Sequence, residues 1–272
     1  MPELPEVETV RRGLEPYAIG QRIDKVVLRD ARLRWPVPAD LPRYLHGRQI
    51  VSVQRRAKYL ILGFDNSDRL LLHLGMSGRL FVLNQGEAAK KHDHLDLLLS
   101  GGQLLRFHDP RRFGAVLPWP GHQDQHPLLA DLGPEPFDED FSADYLFTLS
   151  RQRSAPVKTF LMDGGVVVGV GNIYASEALF KAGIRPSKAA GRVSREAYGR
   201  LVESVRSVLA MAIERGGTTL RDFAGARGES GYFQQELMVY DREGEPCRRC
   251  ATSIRRVIIG QRSSYFCPHC QS

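Results

Sequence analysis

Four cysteines near the end of the chain place the tightest constraint on its fold. They form two C-x-x-C pairs with sixteen residues between the pairs: Cys247, Cys250, Cys267 and Cys270. Two such pairs at this spacing are typical of a tetrahedral Cys₄ zinc site on a small hairpin. Disulfides are the alternative, but a chain without an export signal is expected in a reducing compartment. We therefore expect one structural zinc ion that holds residues 253–266 as a β-hairpin.

Positive charge is concentrated in the same segment. The 272-residue chain has a formal net charge of +7, and residues 247–272 contain five arginines and no acidic residue. This clustering is typical of a module that contacts phosphates, although a solvated basic tail has the same composition. Arg262 lies near the expected turn of the hairpin, where such a contact would be made.

The composition gives no sign of a membrane segment or of export. Hydrophobic residues make up 42% of the chain and charged residues 25%, which is ordinary for a globular protein. The apolar runs fall short of the roughly 18 residues that a membrane span needs, and no hydrophobic signal segment opens the chain. We expect a cytoplasmic protein.

Residues 20–119 contain eight short apolar segments separated by Gly, Asp, Asn and Ser. The segments are KVVL, QIVSVQ, YLILGF, RLLLHLG, RLFVL, LDLLLS, QLLRFH and GAVLPW. Because they follow one another closely without helices between them, they predict an antiparallel β-sandwich or barrel.

Beyond a stretch rich in Pro, Gly and acidic residues, the pattern becomes helical. Ser142 can cap a first helix, and a second helix starts near Asn172 and is closed by Gly183. Ser194 can cap a long third helix, which a polar Gly-rich loop over residues 216–233 follows. We expect three domains, over residues 1–132, 133–235 and 236–272.

The opening sequence, MPELPEVETV, contains two signals. Pro5 and the acidic residues that follow suit the first turn of a helix, whose apolar face would be Val7, Val10 and Leu14. Pro2 and Glu3 lie ahead of this helix, and helix-start chemistry does not account for them.

A free N-terminal proline would be a nucleophile. Removal of Met1 would expose Pro2 as a secondary amine, and α-amino groups have a pKa of roughly 7.7–8.0, against about 10.4 for lysine. Near neutral pH, a larger fraction of the proline amine than of a lysine amine is therefore neutral and able to act as a nucleophile. Attack on an aldehyde-type carbon gives an iminium, and Glu3 can donate or shuttle the proton.

Three further motifs each allow a functional and a structural interpretation. In HLGMSG, His73 could be a functional or a satisfied structural histidine, and Met76 stands on a Gly-rich turn where a core is not usually built. In HDPRRFG, Arg111 and Phe113 could form a wedge for bases or a surface accident. In GVGNIYASEALF, the approach to Asn172 could be an anion site or a tight connection with an Asn cap.

Taken together, the motifs resemble those of bacterial formamidopyrimidine-DNA glycosylases. The resemblance spans the chain in order through MPELPEVETVRRGL, RRAKYL, HLGMSG, DPRRFG, GVGNIYASEALF, GGTT and the Cys₄ element. The related endonuclease VIII type shares this layout but usually opens with Pro-Glu-Gly-Pro-Glu, without the PELPEVET form.

The resemblance implies chemical roles for five residues. Pro2 is implied as the Schiff-base nucleophile that attacks C1′ of an oxidised purine nucleotide, Glu3 as the acid of the glycosylase step, and Glu6 as a supporting carboxylate. Lys58 is implied in β-elimination and phosphate contact. Arg262 is implied in δ-elimination and phosphate binding.

It also implies contacts with DNA. The DNA-binding positions are His73, His92, Arg111, Arg153 and Asn172. The residues that fill the gap left by an extruded base are Met76, Arg111 and Phe113. Base extrusion is required because the reacting carbon and the lesion are buried in the stack. The lesion-recognition loop includes Thr218 and Thr219.

The implied fold is an α+β multidomain protein. It has an N-terminal antiparallel β-sandwich with an N-terminal helix, a helix–two-turn–helix domain and a C-terminal zinc-finger β-hairpin. The implied enzyme is a bifunctional glycosylase and lyase, monomeric and without an organic cofactor. It acts on double-stranded DNA with an oxidised purine or an abasic site in the bacterial nucleoid.

A non-catalytic zinc-ribbon DNA-binding protein is the alternative, since it accounts for the charge, the cysteines and the helical half.

Overall fold

The computed structural model describes residues 2–217 and 236–272. These residues form two compact units, one of residues 2–130 with 215–217 and one of residues 131–214 with 236–272. The division into three domains over 1–132, 133–235 and 236–272 stays a prediction. Thr218 and Thr219, the predicted lesion-loop residues, lie outside the described residues, as does Met1.

The first unit contains all eight strands expected between residues 20 and 119. They are β1 Ile23–Leu28, β2 Ile50–Arg56, β3 Tyr59–Phe64, β4 Arg69–His73, β5 Arg79–Asn84, β6 Asp93–Leu99, β7 Gln103–His108 and β8 Ala115–Trp119. The unit also contains helix α1 Leu4–Ala18, the short helix α2 Leu41–Leu45 and a 3₁₀ turn at Pro127–Leu129.

The eight strands form two four-stranded antiparallel sheets, in the orders β1-β6-β7-β5 and β2-β3-β4-β8. Leu62 and Leu70 of one sheet and Leu97 and Leu105 of the other belong to the same buried apolar cluster. The sandwich prediction is therefore confirmed. Burial of such side chains stabilises the fold by about 1.5–3 kcal/mol each.

Helix α1 begins one residue earlier than proline chemistry alone suggests. Glu3 is the N-cap, and its backbone N–H donates to the Glu6 carboxylate at 2.9 Å, so the helix starts at Leu4. Pro5 occupies the second helical position, where the missing N–H is still harmless because the first four amides have no partner inside the helix. The predicted apolar face is confirmed, since Val7, Val10 and Leu14 are fully buried.

The second unit is helical with one hairpin. Its helices are α3 Ala143–Ser150, α4 Val157–Leu161, α5 Asn172–Ala182 and α6 Arg195–Glu214, with a 3₁₀ turn at Ala190–Arg192; its strands are β9 Arg255–Ile259 and β10 Arg262–Phe266. The predicted caps are confirmed, because Ser142 Oγ accepts the Tyr145 N–H and Ser194 Oγ accepts the Ala197 N–H. Gly183 ends α5 at a φ of 74°.

Candidate functional site

Three loops emerge at one end of the sheet β2-β3-β4-β8. Tyr59 at the start of β3 pairs with His73 at the end of β4, and His73 pairs with Ala115 at the start of β8. Lys58, in the turn before β3, therefore shares this end with the loop after His73 and with the loop that leads into β8. The antiparallel register is what brings these distant parts of the chain together.

The second sheet presents its loops at the same end. Arg79 of β5 and Asp93 of β6 both pair with His108, the last residue of β7. Met76 lies in the loop that runs from β4 into β5, His92 directly precedes β6, and the segment containing Arg111 follows β7. The residues of this unit that are predicted to contact DNA therefore lie at one end of the sandwich. The outermost two in sequence, Lys58 and Phe113, are 55 positions apart.

Helix α1 points its N-terminus toward that end. Arg11 donates to the carbonyl of Val53 at 3.3 Å, and one turn earlier Glu8 accepts from Arg55 at 3.2 Å. Arg55 in turn donates to the carbonyl of Ala57, next to Lys58, at 3.0 Å. The helix thus runs, from its C-terminus to its N-terminus, along β2 toward the turn that carries Lys58.

Pro2 and Glu3 are held at the N-terminus of α1 and are buried. Glu6 is buried as well, and it accepts the Glu3 backbone N–H. Gly217 approaches Glu6 so closely that a Cβ on it would lie 2.9 Å from Glu6 Oε1, and its φ of +80° also favours glycine. Pro2 and Glu3, the predicted nucleophile and acid, here called the Pro2–Glu3 head, therefore lie in a packed part of the first unit.

His73 is a neutral imidazole at neutral pH. Burial, reinforced by the charges of Lys58 and Arg34, lowers its pKa to about 4. Its Nδ1 accepts the N–H of Gly75 at 3.1 Å, so the remaining ring proton is on Nε2. One ring nitrogen of His73 therefore accepts a hydrogen bond within the turn that follows β4, and the other ring nitrogen has an N–H that can donate.

The state of His73 predicts an acid-dependent loss of stability. Its folded pKa is lowered, so the unfolded chain binds the proton more tightly, and stability is lost as the pH falls from about 6.5 to about 4. The loss attributable to this group reaches about 3 kcal/mol at most. Urea unfolding across this pH range should show a shallower pH dependence for His73→Gln than for the wild type. Equal slopes would contradict the assignment.

The three predicted gap-filling side chains lie on the two loops at the sandwich end. Met76 is half-buried, whereas Arg111 is exposed and Phe113 retains 43% of its surface in solvent. The Arg111 guanidinium lies 5.0 Å from the centre of the Phe113 ring, a cation–π contact. An exposed aromatic ring beside an exposed cation is suited to contact a base.

Lys158 of α4 is a buried cation that sequence reasoning missed. It is 1% exposed, and its ammonium donates to Asn172 Oδ1 at 2.6 Å, Ser264 Oγ at 2.8 Å and the Ser263 carbonyl at 3.2 Å. It therefore joins helices α4 and α5 to strand β10. The one signal in the sequence is a lysine inside the otherwise apolar helix VKTFL.

Asn172 does not cap helix α5, which corrects one of the two interpretations of its motif. Gly171 is the N-cap, and the Asn172 side chain instead receives Lys158 and donates to the Ser263 carbonyl at 3.1 Å. In the same unit, Arg153 and Arg262 are exposed and line, with Lys158, a cavity of about 450 Å³. Two exposed guanidinium groups, those of Arg153 and Arg262, therefore line the same cavity.

Removal of the Lys158 ammonium is expected to disorient Asn172. Lys158→Met leaves buried acceptors unpaired, which lowers the free energy of unfolding by about 1–3 kcal/mol. We expect duplex DNA binding, measured by fluorescence anisotropy at fixed salt, to weaken by about tenfold or more, as for a lost charged contact. Lys181→Met is the matched control, because Lys181 is exposed and bonds only Ser207 among the contacts described. Wild-type affinity in Lys158→Met would contradict the role.

The four cysteines converge as the spacing predicts. Their Sγ atoms lie within 4.8 Å of one another, with Cys250 Sγ 3.5 Å from Cys267 Sγ and 4.0 Å between Cys247 Sγ and Cys270 Sγ. Zn–S bonds of about 2.3 Å in a tetrahedron place sulfurs about 3.8 Å apart, so the cluster fits zinc. These separations exclude the disulfide alternative, whose S–S bond is about 2.05 Å.

The surroundings of the cysteines also fit a metal centre. The backbone N–H groups of Arg249 and Cys270 donate to Cys247 Sγ and Cys267 Sγ, each at 3.4 Å, which stabilises thiolates. Cys247 and Cys267 pack in an apolar cluster with Phe180 of α5. The metal centre and helix α5 are thereby parts of one core.

Helix α5 supports the hairpin region through a second anchor. Glu177 is 3% exposed and accepts the backbone N–H groups of Met238, Val239 and Tyr240 at 2.8–3.0 Å. Burial raises the pKa of this carboxyl, and the three hydrogen bonds oppose that effect. Glu177 fastens the segment before the first cysteine pair, a role that its place in the sequence does not indicate.

Comparison with known families matches three parts of the chain. Residues 1–116 match the formamidopyrimidine-DNA glycosylase N-terminal domain, residues 132–224 the formamidopyrimidine-DNA glycosylase H2TH domain, and residues 244–272 the zinc finger found in FPG and IleRS.

Relatives and solved structures match the chain over almost its whole length. The formamidopyrimidine-DNA glycosylase of Stutzerimonas stutzeri is 58% identical over 271 residues, covering 100% of both chains. The crystal structure of the MutM (FPG) protein of Thermus thermophilus is 40% identical with a TM-score of 0.88, covering 99% of this chain and 98% of that one. A Lactococcus lactis FPG mutant in complex with a Fapy-dG containing DNA is 34% identical with a TM-score of 0.92, covering 100% of both chains.

Proposed function

Because the chain belongs to the formamidopyrimidine-DNA glycosylase family, we propose that it removes oxidised purines, 8-oxoguanine and formamidopyrimidines, from duplex DNA in base-excision repair. In this proposal it is also a lyase that cuts the resulting abasic site by β,δ-elimination. The observation that carries the residue assignments is the buried Pro2–Glu3 head at the N-terminus of α1, directed toward the turn of Lys58.

The proposed chemistry begins at Pro2. With Met1 removed, the neutral amine attacks C1′ of the damaged nucleotide, and the bond from C1′ to the base breaks. The base leaves with the electron pair and takes up the proton that the Pro2 nitrogen releases. A proton supplied through Glu3 opens the sugar, and nitrogen and C1′ form an iminium. Glu6 supports this step by holding the Glu3 backbone N–H at 2.9 Å.

The iminium makes the next bond cleavages possible. It acidifies the C2′ hydrogen, so removal of that proton expels the 3′ phosphate, and a second elimination expels the 5′ phosphate. Lys58 is proposed to transfer protons in β-elimination and Arg262 to assist δ-elimination. Both are cations placed on turns or strand ends, where a phosphate can reach them.

The remaining residues bind and deform the DNA. Phosphates are proposed to contact the Nε2–H of His73, Asn172 as oriented by Lys158, and the exposed Arg153. His92 is proposed to add a further DNA contact at the sandwich end. Met76 and Phe113 occupy the space of the extruded base, while Arg111 donates to the orphaned cytosine.

Zinc has a structural part in this proposal. The ion, bound by Cys247, Cys250, Cys267 and Cys270, holds the hairpin that presents Arg262. With four thiolates as ligands the coordination is complete, so the metal offers no open position for catalysis.

Single-turnover cleavage of a duplex with 8-oxoguanine opposite cytosine tests the function. Wild-type protein should release the base and leave a one-nucleotide gap with phosphate at both ends, and its affinity should fall steeply with salt. Tight binding without base release would favour the non-catalytic zinc-ribbon protein and overturn the enzyme assignment.

We also propose that the protein acts at the bacterial nucleoid, where its substrate is. Imaging a fluorescent fusion after oxidative stress tests this location. Among the described residues, no helix combines the length and apolar character needed to cross a membrane.

A further inference from the structure

Asp109 is a fully buried carboxylate to which the proposed chemistry gives no task. Its side chain accepts three hydrogen bonds, from Ser77 Oγ at 2.7 Å, from the Gly114 N–H at 2.8 Å and from the Arg111 N–H at 3.3 Å. Ser77 belongs to the loop of residues 74–78, which carries Met76. One carboxylate therefore bonds both loops that carry the gap-filling side chains.

The backbone of Asp109 is itself fixed to its neighbours. Its carbonyl accepts from His94 Nε2 at 2.7 Å, and its N–H donates to the carbonyl of His92 at 3.0 Å. Because a carbonyl can only accept, the His94 proton is on Nε2, and His94 is 2% exposed. These two hydrogen bonds fix the backbone of Asp109, so its carboxylate has a fixed position from which it bonds the two loops.

Ser77 completes the connection between the loops. Its hydroxyl donates to Asp109 and accepts the Arg111 N–H at 3.2 Å. It is 7% exposed, so neither bond is exchanged easily for a bond to water. Ser77 is therefore a structural link between the loop that carries Met76 and the loop that carries Arg111.

The two loops also touch through their backbones. A Cβ on Gly75 would lie 2.5 Å from the carbonyl carbon of Phe113 and 2.6 Å from the Gly114 nitrogen, and the φ of Gly75 is +64°. Any side chain at Gly75 would push the loops apart. Their close approach leaves Met76 and Phe113 on the outer side, where they retain exposure.

We propose that Asp109 is a positioning residue that joins loop 74–78 and loop 109–114 into a single preformed wedge. This inference rests on the proposed function, in which Met76, Arg111 and Phe113 enter the duplex as the damaged base leaves it. Loops that are already joined lose less conformational freedom on insertion, so the wedge lowers the barrier to base extrusion. Asp109 acts through these three side chains and does not touch the reacting atoms.

Comparing two substrates separates this role from a general structural one. An intact 8-oxoguanine must be extruded, whereas an abasic nucleotide has no base to extrude. We expect Asp109→Ala to lower single-turnover excision of 8-oxoguanine by about 50-fold or more and abasic-strand cleavage by less than about fivefold. Asp109→Asn retains one acceptor oxygen and should fall between Asp109→Ala and the wild type. Equal losses on the two substrates would overturn the proposal.

Asp68 provides the matched control. It is a half-buried aspartate at the opposite end of sheet β2-β3-β4-β8, and it accepts the backbone N–H of Gly121 at 2.9 Å. Asp68→Ala should leave both activities within about twofold of the wild type. A selective loss of 8-oxoguanine excision in Asp68→Ala as well would overturn the specific role of Asp109.

A double-mutant cycle tests whether Asp109 acts through Met76. If the loops form one wedge, Met76→Ala should lower excision much less in the Asp109→Asn background than in the wild type. Independent, multiplying effects would overturn the proposal.

Amide hydrogen exchange tests the coupling without relying on catalysis. Asp109→Asn should accelerate exchange in peptides covering both 74–78 and 109–114, with the rest of the first unit protected as in the wild type. Acceleration confined to 109–114 would overturn the inference. If the wild type failed to cut either DNA while exchange behaved as expected, the proposed function would fail and the joining of the loops would stand.

Discussion

Pro2→Gly is expected to lower the rate of borohydride trapping on abasic-site DNA by about 100-fold or more, the range expected for loss of a catalytic nucleophile. Glycine leaves a primary amine, which gives an imine that must hold an extra proton to be cationic, whereas proline gives a permanently cationic iminium. Glycine also increases the conformational freedom of the backbone at residue 2, whereas Pro2 in the wild type is buried at the start of α1. Trapped adducts on denaturing gels, timed by quenching, measure the rate.

An N-terminal extension gives a stricter test of the same amine. One residue retained before Pro2 places its nitrogen in an amide, which is not nucleophilic, so trapping should be lost altogether. Binding to DNA with a tetrahydrofuran abasic analogue should stay within about threefold for Pro2→Gly, because the phosphate contacts remain. Mass measurement of the intact proteins verifies each N-terminus. Trapping at the wild-type rate by Pro2→Gly or by the extended protein would rule out Pro2 as nucleophile.

Cys247→Ser is expected to remove zinc and to weaken duplex binding by about 100-fold or more, because metal binding and hairpin folding are coupled. Cys247 is 3% exposed and packs with Phe180 and Ile254, so loss of the metal also opens this cluster. Arg262 then loses its fixed place at the start of β10. Zinc content by atomic absorption and affinity by anisotropy at fixed salt are the measurements.

The first unit should survive that substitution, since its sandwich has a separate core. Circular dichroism should therefore retain the β contribution, and chelation of the wild type should reproduce the variant reversibly on return of zinc. A variant that keeps one equivalent of zinc, or that loses zinc and binds DNA like the wild type, would contradict the assignment.

The sequence was a good guide where structure depends on local pattern. The apolar runs that contain Leu60, Ile61 and Leu72 predict strands, because a short strand covered on both faces reads as a continuous apolar run between turn residues. Ser142 and Gly183 predict helix ends, because each meets the needs of its own neighbouring backbone. The cysteine spacing predicts a metal site for the same reason, since each pair lies within one short turn.

It was a poor guide where a side chain serves a distant segment. Lys158 bonds Ser264, 106 residues away, and Asp109 bonds Ser77, 32 residues away. Glu177 holds the amides of residues 238–240, more than sixty positions later. A lone charged residue inside an apolar stretch carries the same local pattern whether it is solvated or buried, so only its partners reveal its role.

The sequence by itself predicted the eight strands, the capped helices and the Cys₄ zinc site, which the structure bears out. The catalytic roles of Pro2 and Glu3 stay predictions. Which of these elements lie next to each other depends on long-range packing. The antiparallel registers bring Lys58, His73, Met76, His92 and Phe113 to one end of the sandwich, and Asp109 joins two of its loops. Helix ends and strands can be predicted because they depend on the backbone geometry of neighbouring residues. Contacts between distant residues depend on strand register and on how the two sheets pack around their common core.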